Sequence, residues 1–171
     1  PHTPYVAPTH HAKHYPLDKI NPVLEIPGDR DDIPPAALPD RPSQRGLVLE
    51  QRKEIIRAYY ASTSLMDACV GRILDGLEKL GLNNNTIVIF LSDHGYHLGH
   101  HGLWQKSDLF EGSTRVPFII SVPRMKSAGQ TSSSLTELVD LYPTLAELCN
   151  LPKPPHLKGH SLVSVLKNPK H

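Results

Sequence analysis

The most regular apolar pattern in the sequence lies between Gly46 and Leu80, where residues recur at steps of three and four. Its members are Ile55, Ile56, Tyr59, Met66, Val70, Ile73, Leu74, Leu77 and Leu80. This spacing predicts an amphipathic helix with one stripe facing the core. Gly81 is suited to end the helix, and the three asparagines at 83–85 predict a turn.

Two apolar runs follow this helix. "TIVIFLS" at 86–92 predicts a strand buried on both faces, as in a parallel sheet, and "VPFIISVP" at 116–123 predicts a second buried strand. The order of helix, turn and buried strand indicates an α/β fold. Because two strands make a small sheet, we expect the chain to be part of a larger one.

The C-terminal segment predicts two more helices. "TELVDLYPTLAELCN" has Pro143 placed for the first turn of a helix, with Asp140 or Tyr142 just before it. "SLVSVLKN" predicts a short final helix. By contrast, residues 1–45 hold ten of the 17 prolines and predict a long loop, which needs another surface to lie on.

Composition narrows the possible partners. The 171 residues carry a net charge of +1, which gives no electrostatic reason to expect nucleic acid or an anionic membrane surface. No apolar run approaches the ~20 residues of a membrane span. The chain opens with Pro-His and without a secretory signal, so we expect either that an N-terminal segment has been removed or that the chain is a piece of a longer protein. Cys69 and Cys149 lie in helix-like patterns and are predicted to be buried thiols.

The chemistry concentrates after the first predicted strand, in "SDHGYHLGHHGLWQK" at 92–106. Ligands of open parallel sheets bind beyond the carboxyl ends of the strands, where Asp93 and His94 stand. The carboxylate suits a hard cation, and Gly95 permits backbone turns that a side chain would forbid. The alternative is an aspartate that caps its own loop, with the histidine satisfied by the backbone.

Other polar residues nearby are less specific. His97, His100 and His101 with His94 give a spacing that matches no familiar zinc pattern well, so substrate contact or solvation is the more natural role. Lys106 is either a surface lysine or a group that neutralises an anionic oxyester. His2 lies in a rigid proline-bounded loop, and alone it indicates little.

Four stretches together resemble the sulfatase family of the alkaline phosphatase superfamily, most closely its iduronate-2-sulfatase branch. They are "PHTPYVAP", "YYASTSLMDACVGRILDGLEKLGLNNNTIVIFLSDHG", "GYHLGHHGLWQKSDLFEGSTRVPFI", and "LTELVDLYPTLAEL" with "LKGHSL". The resemblance implies an alkaline-phosphatase-like sandwich with a mainly parallel central sheet flanked by helices. Residues 1–45 would form a loop region near the active site, and 46–171 the C-terminal part of the α/β domain.

The resemblance also implies roles for particular residues. Asp93 and His94 would bind calcium, ahead of magnesium or manganese, with further acidic ligands from an absent N-terminal half. Lys106 and His2 would contact the sulfate of a sulfated small molecule or saccharide. The substrate pocket would be bordered by Tyr96, His97 and Trp104. The leaving alcohol could take its proton from His2 or from His97.

One departure limits the resemblance. Such sulfatases use a formylglycine nucleophile made from Cys or Ser in a Cys/Ser-x-Pro-x-Arg motif, and neither cysteine has that context. "RPSQR" pairs Ser43 with Arg45 but lacks the proline. The nucleophile is therefore expected in the absent half, and the chain alone is expected to be inactive.

Two alternatives stay open. One is a phosphodiesterase or phosphonate hydrolase of the same superfamily, and the other is a noncatalytic remnant of the fold. The absent nucleophile segment would separate the first of these from a sulfatase. The family further suggests a lysosomal, periplasmic or secreted setting.

Overall fold

A computed structural model describes residues 1–39, 41 and 44–170. Ser43, considered above, lies outside the described residues. The chain divides into two compact units. The first unit comprises Pro1–Asn83 with His94–Pro117, and the second comprises Asn84–Asp93 with Phe118–His171.

The α/β class predicted from the sequence is confirmed by the order of the elements. The helices are α1 (Thr9–Ala12), α2 (Leu49–Lys79), α3 (Glu111–Thr114), α4 (Leu141–Leu148) and α5 (Val163–Lys167). The strands are β1 (Val88–Leu91), β2 (His97–Leu98), β3 (Trp104–Gln105) and β4 (Phe118–Ser121). Among the described residues, no helix is both long enough and apolar enough to cross a membrane.

Helix α2 is the largest element of the first unit and follows the predicted pattern. At its start the Gln51 side chain accepts the Val48 amide at 3.0 Å. At its end Gly81 adopts φ +66°, and the Leu82 amide donates to the Leu77 carbonyl at 2.9 Å. A glycine in the left-handed region with such a long backward bond is a common helix end, so the predicted C-cap is confirmed.

The core of the first unit gathers on the N-terminal half of α2. Ile20, Ile56 and Trp104 are buried there, with Tyr15, Leu47, Ile55 and Leu98 packed around them. The prediction that the whole stripe is core-facing is wrong for the other half, where Ile73 is 65% exposed and Leu80 73% exposed. The periodicity places these residues on one face, but no described segment covers it.

The strands depart from the predicted parallel arrangement. In the second unit β1 pairs antiparallel with β4, with Val88 opposite Ser121 and Leu91 opposite Phe118. In the first unit β2 and β3 form a short antiparallel pair. Strand β1 is half-buried throughout, whereas β4 alternates between half-buried and exposed residues. An apolar run fixes neither strand direction nor the number of covered faces, and the described residues contain only these two antiparallel pairs.

The C-terminal part of the second unit is held by a buried hydrogen-bond network. Pro143 lies in the first turn of α4, as predicted. The Asp140 carboxylate accepts the amides of Glu137 at 3.0 Å and His160 at 2.8 Å. The Thr144 hydroxyl donates to the Asp140 carbonyl at 2.6 Å and accepts the Leu162 amide at 2.8 Å. These bonds tie α4 to the loop that precedes α5.

The prediction of buried thiols is wrong. Cys69 and Cys149 are both free and exposed. Cys69 lies on an outward face of α2, and Cys149 directly follows the last residue of α4. An apolar residue type in a helical pattern does not determine which face meets the core.

Candidate active site

The predicted calcium ligands are neighbours in the chain at the end of β1. Asp93 is exposed and is the last residue of its segment in the second unit, and His94 opens the next segment of the first unit. The His94 ring lies with Nδ1 2.8 Å from the Gly95 carbonyl and Nε2 2.7 Å from Lys106 Nζ. These contacts fit one tautomer, in which Nδ1–H donates to the carbonyl and Nε2 accepts from the ammonium group.

Lys106 lies in an unusual turn. Gln105 and Ser107 on either side of it have φ values of +70° and +82°. Non-glycine residues in this region cost about 1–3 kcal/mol each, so neighbouring contacts must hold the turn. Arg41 supplies two of them, donating from Nη1 to Gln105 Oε1 at 3.0 Å and from Nη2 to the Lys106 carbonyl at 2.7 Å.

Position 95 requires a glycine because the backbone packs closely there, and not because the chain turns there. It is not among the glycines with positive φ, so the expectation about backbone turns is wrong. Its amide donates to the Ser113 carbonyl at 2.7 Å. A Cβ atom at Gly95 would lie 2.1 Å from the Gly112 carbonyl oxygen. The residue after His94 is therefore pressed against the backbone of α3.

Three tyrosines connect the N-terminal loop to this segment. The ring of Tyr5 meets those of Tyr59 and Tyr96 at centroid distances of 5.8 and 6.1 Å, and the last two are 5.0 Å apart. The hydroxyls of Tyr5 and Tyr96 share a short hydrogen bond. Burial, and then that bond, raise the pKa of Tyr5, and burial raises the pKa of Tyr59. The three rings thus pack the N-terminal loop that carries His2 against Tyr59 of α2 and against Tyr96.

His2 itself is exposed. Its Nδ1 donates to the carbonyl of Thr3 at 2.7 Å. Within the described residues the His2 ring makes no hydrogen bond to His94 or Lys106. The structure therefore does not bring together His2 and Lys106, the two predicted sulfate-binding residues.

His97 and Trp104 lie beneath the surface. His97 is 1% exposed, with Nε2 3.1 Å from Oδ1 of Asp108, a carboxylate equally buried. The Phe110 amide donates to the same oxygen at 3.0 Å. Trp104 belongs to the core of the first unit. Of the three predicted pocket residues, only Tyr96 is half-exposed, and the substrate contacts of all three stay predictions.

The hydrogen bond of the His94 ring to a carbonyl meets part of what a metal-binding histidine requires. A histidine whose Nδ1–H donates to a carbonyl presents Nε2 as its acceptor, which is the usual arrangement of metal-binding histidines, and here His94 Nε2 accepts from the Lys106 ammonium group. Calcium takes six to eight ligands, mainly oxygens. The described residues contain no group of three or more His, Cys, Asp or Glu side chains able to hold a metal ion. The calcium-binding role of Asp93 and His94 stays a prediction.

A cavity of about 830 Å³ lies in the first unit, formed mainly by the proline-rich segment. One wall is closed by His101, whose Nδ1 lies 3.0 Å from Asp29 Oδ2 and whose carbonyl accepts Arg30 Nε at 2.6 Å. The polar side chains of the lining include Glu25, Asp29, Arg30, Asp31, Arg41, Gln44, Arg45 and His101.

Sequence reasoning missed Arg41 and Asp108. Asp108 lies two residues after Lys106, and a carboxylate so close to several histidines was a usable signal. Nothing local distinguishes Arg41 from other arginines of the loop, because its partners lie 64 and 65 residues away.

The chain is similar to known proteins of one family. The family profile described as Sulfatase matches residues 1–151. Mouse iduronate 2-sulfatase is 34% identical over 194 aligned residues, covering 91% of this chain and 35% of that protein.

Two solved structures are similar as well. One, in complex with its substrate D-glucosamine-2-N,6-O-disulfate, is 36% identical with a TM-score of 0.68, over 71% of this chain and 25% of its own. The phosphonate monoester hydrolase of Silicibacter pomeroyi is 25% identical with a TM-score of 0.85, over 100% of this chain and 36% of its own. The chain thus spans between 25% and 36% of the length of these relatives. With most of its residues matched by the family profile, it belongs to the sulfatase family.

Proposed function

We propose that this chain supplies part of the active site of a calcium-assisted sulfuric ester hydrolase. The observation that carries the proposal is the 2.7 Å contact between Lys106 Nζ and His94 Nε2, where His94 follows Asp93 shortly after the end of β1. The ammonium group of Lys106 beside a histidine of the kind that binds metals suits a substrate whose negative charge lies on ester oxygens. Family membership supports the same chemistry.

In this proposal the residues of the chain bind and orient the sulfate. Asp93 and His94 would hold the cation, and the chemistry it would supply there is Lewis-acid polarisation of the sulfate ester. The Lys106 ammonium donates to one of those oxygens and stabilises the charge that grows in the transition state. A formylglycine in the remaining part of the protein would supply the nucleophilic hydroxyl, and His2 or His97 would protonate the leaving alcohol.

The proposed substrates are sulfated saccharides. Support comes from the relatives named for iduronate sulfate and from the structure that holds a glucosamine disulfate. In the whole protein we expect the strands described here to join a mainly parallel central sheet, in a lysosomal, periplasmic or secreted enzyme.

A second candidate is phosphonate ester hydrolysis, favoured by the TM-score of 0.85 to a phosphonate monoester hydrolase. Both reactions place negative charge on equatorial oxygens, so the same lysine and cation would serve either. The two are separated by what the protein turns over.

The test uses the complete protein with three substrates, an aryl sulfate, a sulfated monosaccharide and an aryl phosphonate monoester. Lys106→Ala is compared with Lys79→Ala, a lysine exposed on α2. We expect sulfate turnover to fall about 10²–10³-fold for Lys106→Ala, with calcium content retained, because one charged donor is lost. An unchanged rate would make Lys106 an ordinary surface lysine. Preference for the phosphonate ester would favour the second candidate.

A further inference from the structure

We propose that Arg41 is a positioning residue, which holds the turn around Lys106 so that the ammonium group points at His94. The inference rests on the proposed function of Lys106. It adds to the site Arg41, a residue to which sequence reasoning assigned no role.

The first step of the argument is the pair of bonds that Arg41 makes. One guanidinium group donates to the Gln105 side chain at 3.0 Å and to the Lys106 carbonyl at 2.7 Å. The planar fork of arginine presents two donors in a fixed geometry, which a lysine cannot do. The guanidinium therefore constrains a side chain and the adjacent main chain together.

The second step is the conformation of the turn. Gln105 and Ser107 both have positive φ, and neither is a glycine. Such residues persist where surrounding contacts enforce them, and they concentrate at functional sites. The backbone of Lys106 is thus held in a state that it would leave if those contacts were removed.

The third step is that the turn is anchored on both sides by other groups. Trp104 is fixed in the core before it, and Asp108 is fixed after it by His97 and the Phe110 amide. Loss of Arg41 would therefore release the few residues around Lys106 without unfolding the unit. The expected effect is local and falls on the 2.7 Å contact between Lys106 and His94.

The kinetic experiment compares Arg41→Ala, Arg41→Lys and Arg30→Ala in the complete enzyme. Arg30 is the matched control, because it lies in the same segment and bonds the His101 carbonyl instead. We expect kcat of Arg41→Ala to fall about ten- to a hundredfold with little change in KM, since a misplaced group costs turnover first. Arg41→Lys should recover part of the loss, and added guanidinium should rescue Arg41→Ala but not Lys106→Ala.

A second measurement is independent of turnover. Hydrogen exchange of the peptide covering 104–110 should be faster in Arg41→Ala than in wild type and unchanged in Arg30→Ala. Unchanged exchange in Arg41→Ala would overturn the inference, whatever the activity.

The outcomes also separate the two proposals. If wild type is active, Lys106→Ala is slow and Arg41→Ala turns over normally, the inference on Arg41 fails and the proposed function stands. If wild type hydrolyses no sulfate ester, the proposed function fails and the positioning role in catalysis fails with it.

Discussion

The closest packing at the site is found at Gly95, and replacing this residue by alanine gives a sharp test. The added Cβ atom would lie 2.1 Å from the Gly112 carbonyl oxygen and 3.0 Å from its carbon. Both atoms are backbone, so neither can rotate away. The two chain segments must separate by about 1 Å to reach an ordinary van der Waals contact.

That displacement acts on the residue next to His94. The Gly95 amide bond to the Ser113 carbonyl, 2.7 Å in the native chain, lengthens with it. A shift of this size in a reacting group costs about 100-fold in rate, which corresponds to ~2.7 kcal/mol of transition-state stabilisation. We therefore expect Gly95→Ala to lower kcat for sulfate ester hydrolysis about 100-fold.

The assay is steady-state turnover of an aryl sulfate by the complete enzyme, with near-ultraviolet circular dichroism as a check on folding. Gly71→Ala is the control, because nothing lies within 4 Å of the Cβ added there on α2. Alanine in a helix interior stabilises by about 0.5–1 kcal/mol relative to glycine, so this variant should be fully active. Wild-type turnover in Gly95→Ala would refute the packing argument.

Three further predictions concern other parts of the chain. Thr144→Val removes the hydroxyl that accepts the buried Leu162 amide, and leaving that amide unpaired costs about 1–3 kcal/mol. Hydrogen exchange of the Leu162 amide should therefore be about 5- to 150-fold faster. The control Thr136→Val, at an exposed position, should leave this exchange rate unchanged. The backbone amides of Glu137 and His160 lower the pKa of the Asp140 carboxyl. The carboxylate therefore stabilises the fold fully above the ordinary carboxyl pKa, and this stabilisation is lost as pH falls below about 4. In urea unfolding, the free energy of unfolding of Asp140→Asn should depend less on pH in this range, and an unaltered pH dependence would contradict the assignment. Asp93→Asn replaces an anionic oxygen ligand by a neutral amide and should weaken calcium binding measured by calorimetry, while equal affinity would exclude Asp93 from the ligand set.

The part of the site that follows β1 was accessible from the sequence. A long apolar run followed by Asp-His, with a lysine twelve positions later, predicted a site at His94 and Lys106. The structure brings these two side chains to 2.7 Å, and their roles in binding stay predictions. What escaped prediction was the support of that contact. Arg41 comes from a distant loop, and the need for Gly95 arises from the carbonyl of Gly112, so both depend on tertiary contacts that local patterns do not encode.

The fold also has features that local sequence patterns predicted and features that depend on tertiary contacts. Periodicity located α2 and α4, because helix formation and capping are local. It did not reveal that β1 and β4 run antiparallel, since direction is decided by the partner strand. Nor could it say that Ile73 is exposed while Ile56 is buried, because both lie on the same stripe and differ only in what covers them.

The exposed thiols have a practical consequence. Cys69 belongs to the first unit and Cys149 to the second, and the sequence contains no other cysteine. Nitroxide or fluorescent probes attached to the native residues would therefore report the spacing between the two units without any engineered labelling position. Changes in that spacing on addition of calcium or sulfate would be readable in solution by dipolar spectroscopy or energy transfer.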